Sequence, residues 1–130
     1  MRVLLDTNAY SEFRCGHAGV AEAVRAADEV LFSAVVAGEL LHGFRRGSRY
    51  QKNRAELDAF LADPLVMFVP VTLDTAERFA RVAADLAGRG TPIPTNGIWI
   101  AAHAFEHGAE LITFDGHFAA VPGLAYCVPP

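Results

Sequence analysis

The chain has 130 residues, 52% of them hydrophobic and 20% charged, with 11 basic against 15 acidic side chains for a net charge of −4. That length suits one domain spanning residues 1–130, and the apolar fraction is enough to bury a core, which excludes disorder. The acidic balance excludes a uniformly cationic nucleic-acid coat but not a local basic patch. Two cysteines, Cys15 and Cys127, are too few for a disulfide scaffold and fit a reduced cytoplasmic compartment. Asp6 follows only three apolar residues, which reads against a secretory signal, and no apolar run approaches the ~18 residues needed to cross a membrane.

In chain order, Val3-Leu4-Leu5 is a short buried strand ending at the turn or capping cluster Asp6-Thr7-Asn8. Residues 18–27 are alanine-rich and helical, and Val30-Leu31-Phe32 is a second strand. Ser33 is the expected N-cap of a helix over about 34–46, with Val36, Leu40, Gly43 and Phe44 on its buried face. A helix over 51–62, bearing Leu57, Phe60 and Leu61, stops at Pro64. Residues 66–69 make a third strand. A long amphipathic helix over 72–87 carries Leu73, Ala76, Phe79, Ala80, Ala83 and Leu86 and ends at Gly88. After the extended Pro92-Ile93-Pro94, Thr95-Asn96 caps a helix through Ile98, Trp99, Ala102 and Phe105, closed by Gly108. Leu111-Ile112-Thr113 is the fourth strand, and residues 124–128 a possible fifth. Short apolar strands alternating with helices indicate an α/β domain with a central parallel sheet of four or five strands, covered on both faces.

Parallel sheets bind ligands beyond the carboxyl ends of their strands. Asp6 and Asp115 each stand just past such an end, on the same sheet edge. Glu39 flanks the apolar stripe of its helix and converges with them if that helix packs near the edge. Each residue alone has an ordinary reading as a cap, turn or boundary residue. Together they would repel: two unit charges ~4 Å apart at an effective dielectric of ~20 cost about 4 kcal/mol, so the cluster needs a proton or a cation. Hard oxygen donors point to Mg²⁺ or Mn²⁺ rather than zinc.

Four blocks then carry a resemblance that spans nearly the whole chain: Leu4-Leu5-Asp6-Thr7-Asn8, residues 33–40 (SAVVAGEL), residues 94–102 (PTNGIWIAA) and Leu111-Ile112-Thr113-Phe114-Asp115. In this order they resemble the PIN-domain ribonucleases, specifically the VapC-type toxins of toxin–antitoxin pairs. The resemblance implies a three-layer α/β/α domain that cuts RNA with divalent metal held by clustered acids. Asp6, Glu39 and Asp115 match three of four acidic positions and would be the metal-binding, catalytic set. The fourth is expected in the block around Asn96, where this chain has Gly97. The expectation is therefore weakened metal binding and reduced cleavage, with fold and partner binding kept; a catalytically silent, antitoxin-binding module is the alternative.

Thr7, Asn8, Ser33, Asn96 and Thr113 are candidates to hold the carboxylates or waters in place. Arg45, Arg46, Arg49, Lys52 and Arg54 put five of eleven basic residues within ten positions, and Arg45, Arg46 and Arg49 are candidate RNA contacts. The five histidines show no zinc spacing and are assigned surface or helix-dipole roles; Trp99 and Phe105 are assigned to packing. The resemblance further implies a VapB-type antitoxin whose basic side chain enters the acidic cleft, and a homodimer to which residues 25–44 contribute. A phosphoacceptor receiver domain would need an acidic neighbour beside Asp6 and a lysine after the last strand. A haloacid-dehalogenase phosphatase would need Asp where Asn8 stands. Neither requirement is met.

Overall fold

The computed structural model covers residues 1–130 and contains a five-stranded, wholly parallel sheet in the order β3-β2-β1-β4-β5. The strands are β1 (Arg2–Leu5), β2 (Glu29–Ser33), β3 (Val66–Val69), β4 (Glu110–Ile112) and β5 (Tyr126–Cys127). Helices α1 (Thr7–Arg14) and α2 (Ala18–Ala26) join β1 to β2. Helices α3 (Ala34–Arg46) and α4 (Tyr50–Leu61) join β2 to β3, and α5 (Leu73–Arg89) and α6 (Thr95–His107) join β3 to β4. A 3-10 turn, Gly116–Ala120, precedes β5. The central strands are apolar beyond their first residues, Arg2, Glu29 and Glu110, and short of Ser33 at the end of β2, because both faces are covered: Leu4, Leu5, Leu31, Phe32 and Leu111 are fully buried.

The connections advance outward from β1 through β2 to β3, then return to the other side of β1 for β4 and β5. Consecutive connections therefore leave β1 and β4 in opposite directions, opening a crevice above their carboxyl ends. That crevice lies between Asp6, one residue after β1, and Asp115, three residues after β4.

The helices depart from the sequence reading in five places, and the fifth strand is shorter than expected, Tyr126–Cys127. Residues 7–14 are helical rather than only a capping turn: Asp6 caps α1 by accepting from Ala9 N at 2.8 Å, and Tyr10 anchors it edge-on to Phe32 and Phe60, ring centroids 5.5 and 5.2 Å apart. Helix α5 runs through Gly88 and stops at Gly90, whose φ of +69° is the left-handed geometry a C-terminal glycine supplies. Its buried side is Thr75, Val82 and Leu86, while Leu73 is 83% exposed. Gly43 is exposed, so α3 packs through Val36, Ala37 and Leu40. Thr95 and Asn96 lie inside α6, whose cap is Pro94, which makes Gly97 the third helical residue. Trp99 stacks on Phe79 at 4.1 Å, as packing rather than as an open stacking platform.

Candidate active site

One cleft of about 270 Å³ gathers Asp6, Glu39 and Asp115 with Thr7, Asn8, Asn96, Gly97 and His117. No lysine or arginine lines it. The sheet register sets its floor. Leu5 pairs with Ile112, so Asp6 and Thr113 follow side by side, and the Thr113 hydroxyl donates to Asp6 Oδ2. The same hydroxyl accepts from Asp115 N at 2.9 Å, so one buried threonine ties the two aspartates together. Asp6 is 5% exposed. Burial pushes its carboxyl above the ordinary aspartate value; the bonds from Thr113 and Ala9 oppose this, and the charges of Asp115 and Glu39 add to it.

Glu39 reaches the cleft from α3 and is held at both oxygens. Thr7 Oγ1 donates to Oε1 at 2.6 Å and Asn96 Nδ2 to Oε2 at 3.3 Å. Asp115 caps the 3-10 turn through His117 N, 2.9 Å from its Oδ1, and the His117 ring stands 2.8 Å from the same oxygen. Thr7, Asn96 and Thr113 thus sit against the carboxylates, and Asn8 lines the cleft without a side-chain hydrogen bond to them.

Ser33 does not share that role. Its hydroxyl caps α3 through Val35 N, 3.0 Å away, and meets His103 Nδ1 at 2.8 Å, and it does not line the cleft. One histidine departs from a surface or dipole role: His103 is fully buried, whereas His117 is exposed and lines the cleft. His17 is the N-cap of α2, accepting at Nδ1 from Gly19 N and Val20 N. Of the basic cluster, none lines the cleft. Arg45 lies over the Tyr50 ring at 4.5 Å, Arg54 pairs with Asp58, and Arg46 and Arg49 are exposed.

Three carboxylates in a cleft that no lysine or arginine lines are the donor set of a hard divalent ion. As the side chains stand, no three acidic, imidazole or thiol groups come within ligating reach of a common point. At position 97 a Cβ would meet Ile93 Cδ1 at 3.4 Å and Phe118 ring atoms at 3.7 Å, ordinary contacts, so a Cβ is accommodated there.

Comparison with known proteins agrees with this architecture. A family model described as PIN domain matches residues 3–124. Ribonuclease VapC4 of Mycobacterium tuberculosis is 33% identical over 93 residues, 69% of each chain. The structure of VapBC2 from Rickettsia felis bound to a DNA fragment from its promoter superposes with a TM-score of 0.87 at 21% identity, covering 98% of both chains. That of VapBC-5, a toxin–antitoxin system of Mycobacterium tuberculosis, superposes at 0.74 with 30% identity over 98% and 97%. The chain belongs to the PIN-domain family, close to its VapC ribonucleases.

Proposed function

We propose that this chain, as one PIN domain, is the toxin of a toxin–antitoxin pair: a divalent-metal-dependent endoribonuclease impaired by Gly97. One observation carries the reading. Three elements far apart in sequence deliver Asp6, Glu39 and Asp115 to a single cleft at the strand-order switch, with no lysine or arginine to balance them. Asp6, Glu39 and Asp115 would hold the metal, Mg²⁺ or Mn²⁺. When bound, such an ion polarises a phosphodiester and lowers the pKa of a coordinated water.

The chain's own groups set the geometry. Thr113 and Ala9 N hold Asp6 in one orientation, and Thr7 with Asn96 does the same for Glu39. His117 and its backbone N–H fix Asp115. Because each carboxylate oxygen has two lone pairs, these bonds orient the acids without exhausting them. Gly97 removes one anionic donor from the first turn of α6 at little expense to the fold. An antitoxin of the VapB type would enter the same cleft with a basic side chain, pairing with the free carboxylates. A homodimer and RNA contact through Arg45, Arg46 and Arg49 complete the reading. Arg46 lies seven residues beyond Glu39 on α3, a rise of about 10 Å, within reach of phosphates flanking a bound strand. No helix is long and apolar enough to cross a membrane.

Gly97 also favours a second reading, a silent module that only binds antitoxin. Gly97→Asp separates the two. Cleavage of RNA with Mg²⁺ or Mn²⁺ is expected to rise in the variant. Equal, measurable rates overturn the impairment, and no cleavage by either protein overturns the nuclease reading in favour of the silent module.

A further inference from the structure

His103, on α6, is fully buried and uses both ring nitrogens: Nε2 lies 3.0 Å from the Pro70 carbonyl oxygen and Nδ1 2.8 Å from Ser33 Oγ. A carbonyl only accepts, so Nε2 carries the proton and Nδ1 is the acceptor. The Ser33 hydroxyl must then donate to Nδ1 while accepting from Val35 N as the cap of α3. The neutral ring satisfies every partner. Burial accordingly pushes its pKa below the ordinary histidine value, and the His107 charge adds to this; the bond to Pro70 and the charge of Glu106 oppose it.

The consequence reaches the cleft through α3. Glu39 lies six residues beyond Ser33 on that helix, a rise of ~9 Å. Its Oε2 takes the amide of Asn96, seven residues before His103 on α6. Helix α6 therefore grips α3 twice, at the cap through His103 and at the carboxylate through Asn96. These two polar contacts add to the apolar packing of Val36, Ala37 and Leu40, which has little direction of its own, and tie both ends of the Ser33–Glu39 segment to one neighbour.

We propose that His103 is a positioning residue: through Ser33 it sets the start of α3 and thereby the place of the Glu39 carboxylate in the cleft. This rests on the cleft being the working site. Two variants of the full chain test it by amide and side-chain NMR. His103→Asn places a carbonyl oxygen near Nδ1 and keeps an acceptor for Ser33 while losing Pro70. His103→Gln reaches toward Pro70 and loses Ser33. The expected pattern is crossed: His103→Gln shifts the amides of Val35 through Glu39 and the Asn96 side-chain amide, whereas His103→Asn leaves these in place and shifts Val71. Shifts in His103→Gln that stop at Val35, with Glu39 and Asn96 unmoved, overturn the proposal. Should His103→Gln not fold, the ring nitrogens of the unaltered protein decide. An Nε2–H tautomer at neutral pH supports it, and an Nδ1–H ring or an imidazolium overturns it. None of these signals depends on RNA cleavage, so a chain that fails to cut RNA counts against the nuclease reading alone.

Discussion

Replacing Asp6 by Asn should make the metal-free protein more stable at neutral pH. The side chain is 5% exposed, and the upward shift of its carboxyl means that desolvation outweighs both hydrogen bonds it accepts. Asparagine keeps the bond from Ala9 N, and Thr113 can rotate its hydroxyl to accept from the new amide. Exchanging two charge-assisted hydrogen bonds for neutral ones loses ~2 kcal/mol. Relief of a buried charge is worth several kcal/mol, to which the removed repulsion from Asp115 and Glu39 adds. The balance is a gain of about 1–2 kcal/mol, or a rise in Tm of roughly 4–8 °C for a chain of this size.

The sign with pH is definite. An acid whose folded pKa is raised contributes most stability below its unfolded value of 3.8, and loses that contribution as pH rises through the folded value. The difference between variant and parent should therefore shrink on acidification. Thermal unfolding followed by circular dichroism, in a chelator and then with added Mn²⁺, reads both effects. Saturating metal at ~100 times its Kd would stabilise the parent by about 2.7 kcal/mol and leave the variant unmoved. A variant that melts below the parent in chelator at neutral pH would refute the reasoning.

His103 works at the opposite edge of the pH range. Its depressed folded pKa means its contribution is whole above the ordinary 6.5 and lost as pH falls below it; urea unfolding should show a parent-specific loss on acidification that His103→Gln lacks. Phe60 touches the Tyr10, Phe13 and Phe32 rings at 5.2 to 5.7 Å, and Phe60→Ala should lower unfolding free energy by about 3–5 kcal/mol, against which a loss under ~1 kcal/mol would stand. Charge reversal at Arg46 and Arg49 should weaken RNA binding and reduce the slope of log affinity against log salt by ~0.7 per lost phosphate contact, with an unchanged slope removing them from the RNA surface.

VLL and VLF were legible because burial on both faces leaves no polar residue to interrupt them; VMFV stands out from its flanks too, although it is an edge strand with Phe68 48% exposed. The fifth strand shrank to Tyr126–Cys127, the two residues that find ladder partners in Leu111 and Ile112 of the three-residue β4. Helix α1 was hidden for a different reason. Its eight residues, TNAYSEFR, bury only Ala9 and Tyr10 fully, and they read as turn chemistry until Phe32 and Phe60, far along the chain, supply a surface for Tyr10. A short helix held by tertiary packing leaves little periodicity to find.

The cleft divides along the same line. Asp6 and Asp115 could be read from strand ends, and Glu39 from its place beside a helical stripe, because those rules are local. His117 could not, since it reaches the cleft through a 3-10 turn that no period announces. Ser33 shows the limit most clearly. Its cap was readable two residues away at Val35 N, but the partner that gives the hydroxyl its second bond lies 70 residues on, at His103. A local rule assigns a polar side chain its nearest job. Only the fold shows that the hydroxyl has two, and that the second links the helix of Glu39 to the helix that carries the glycine.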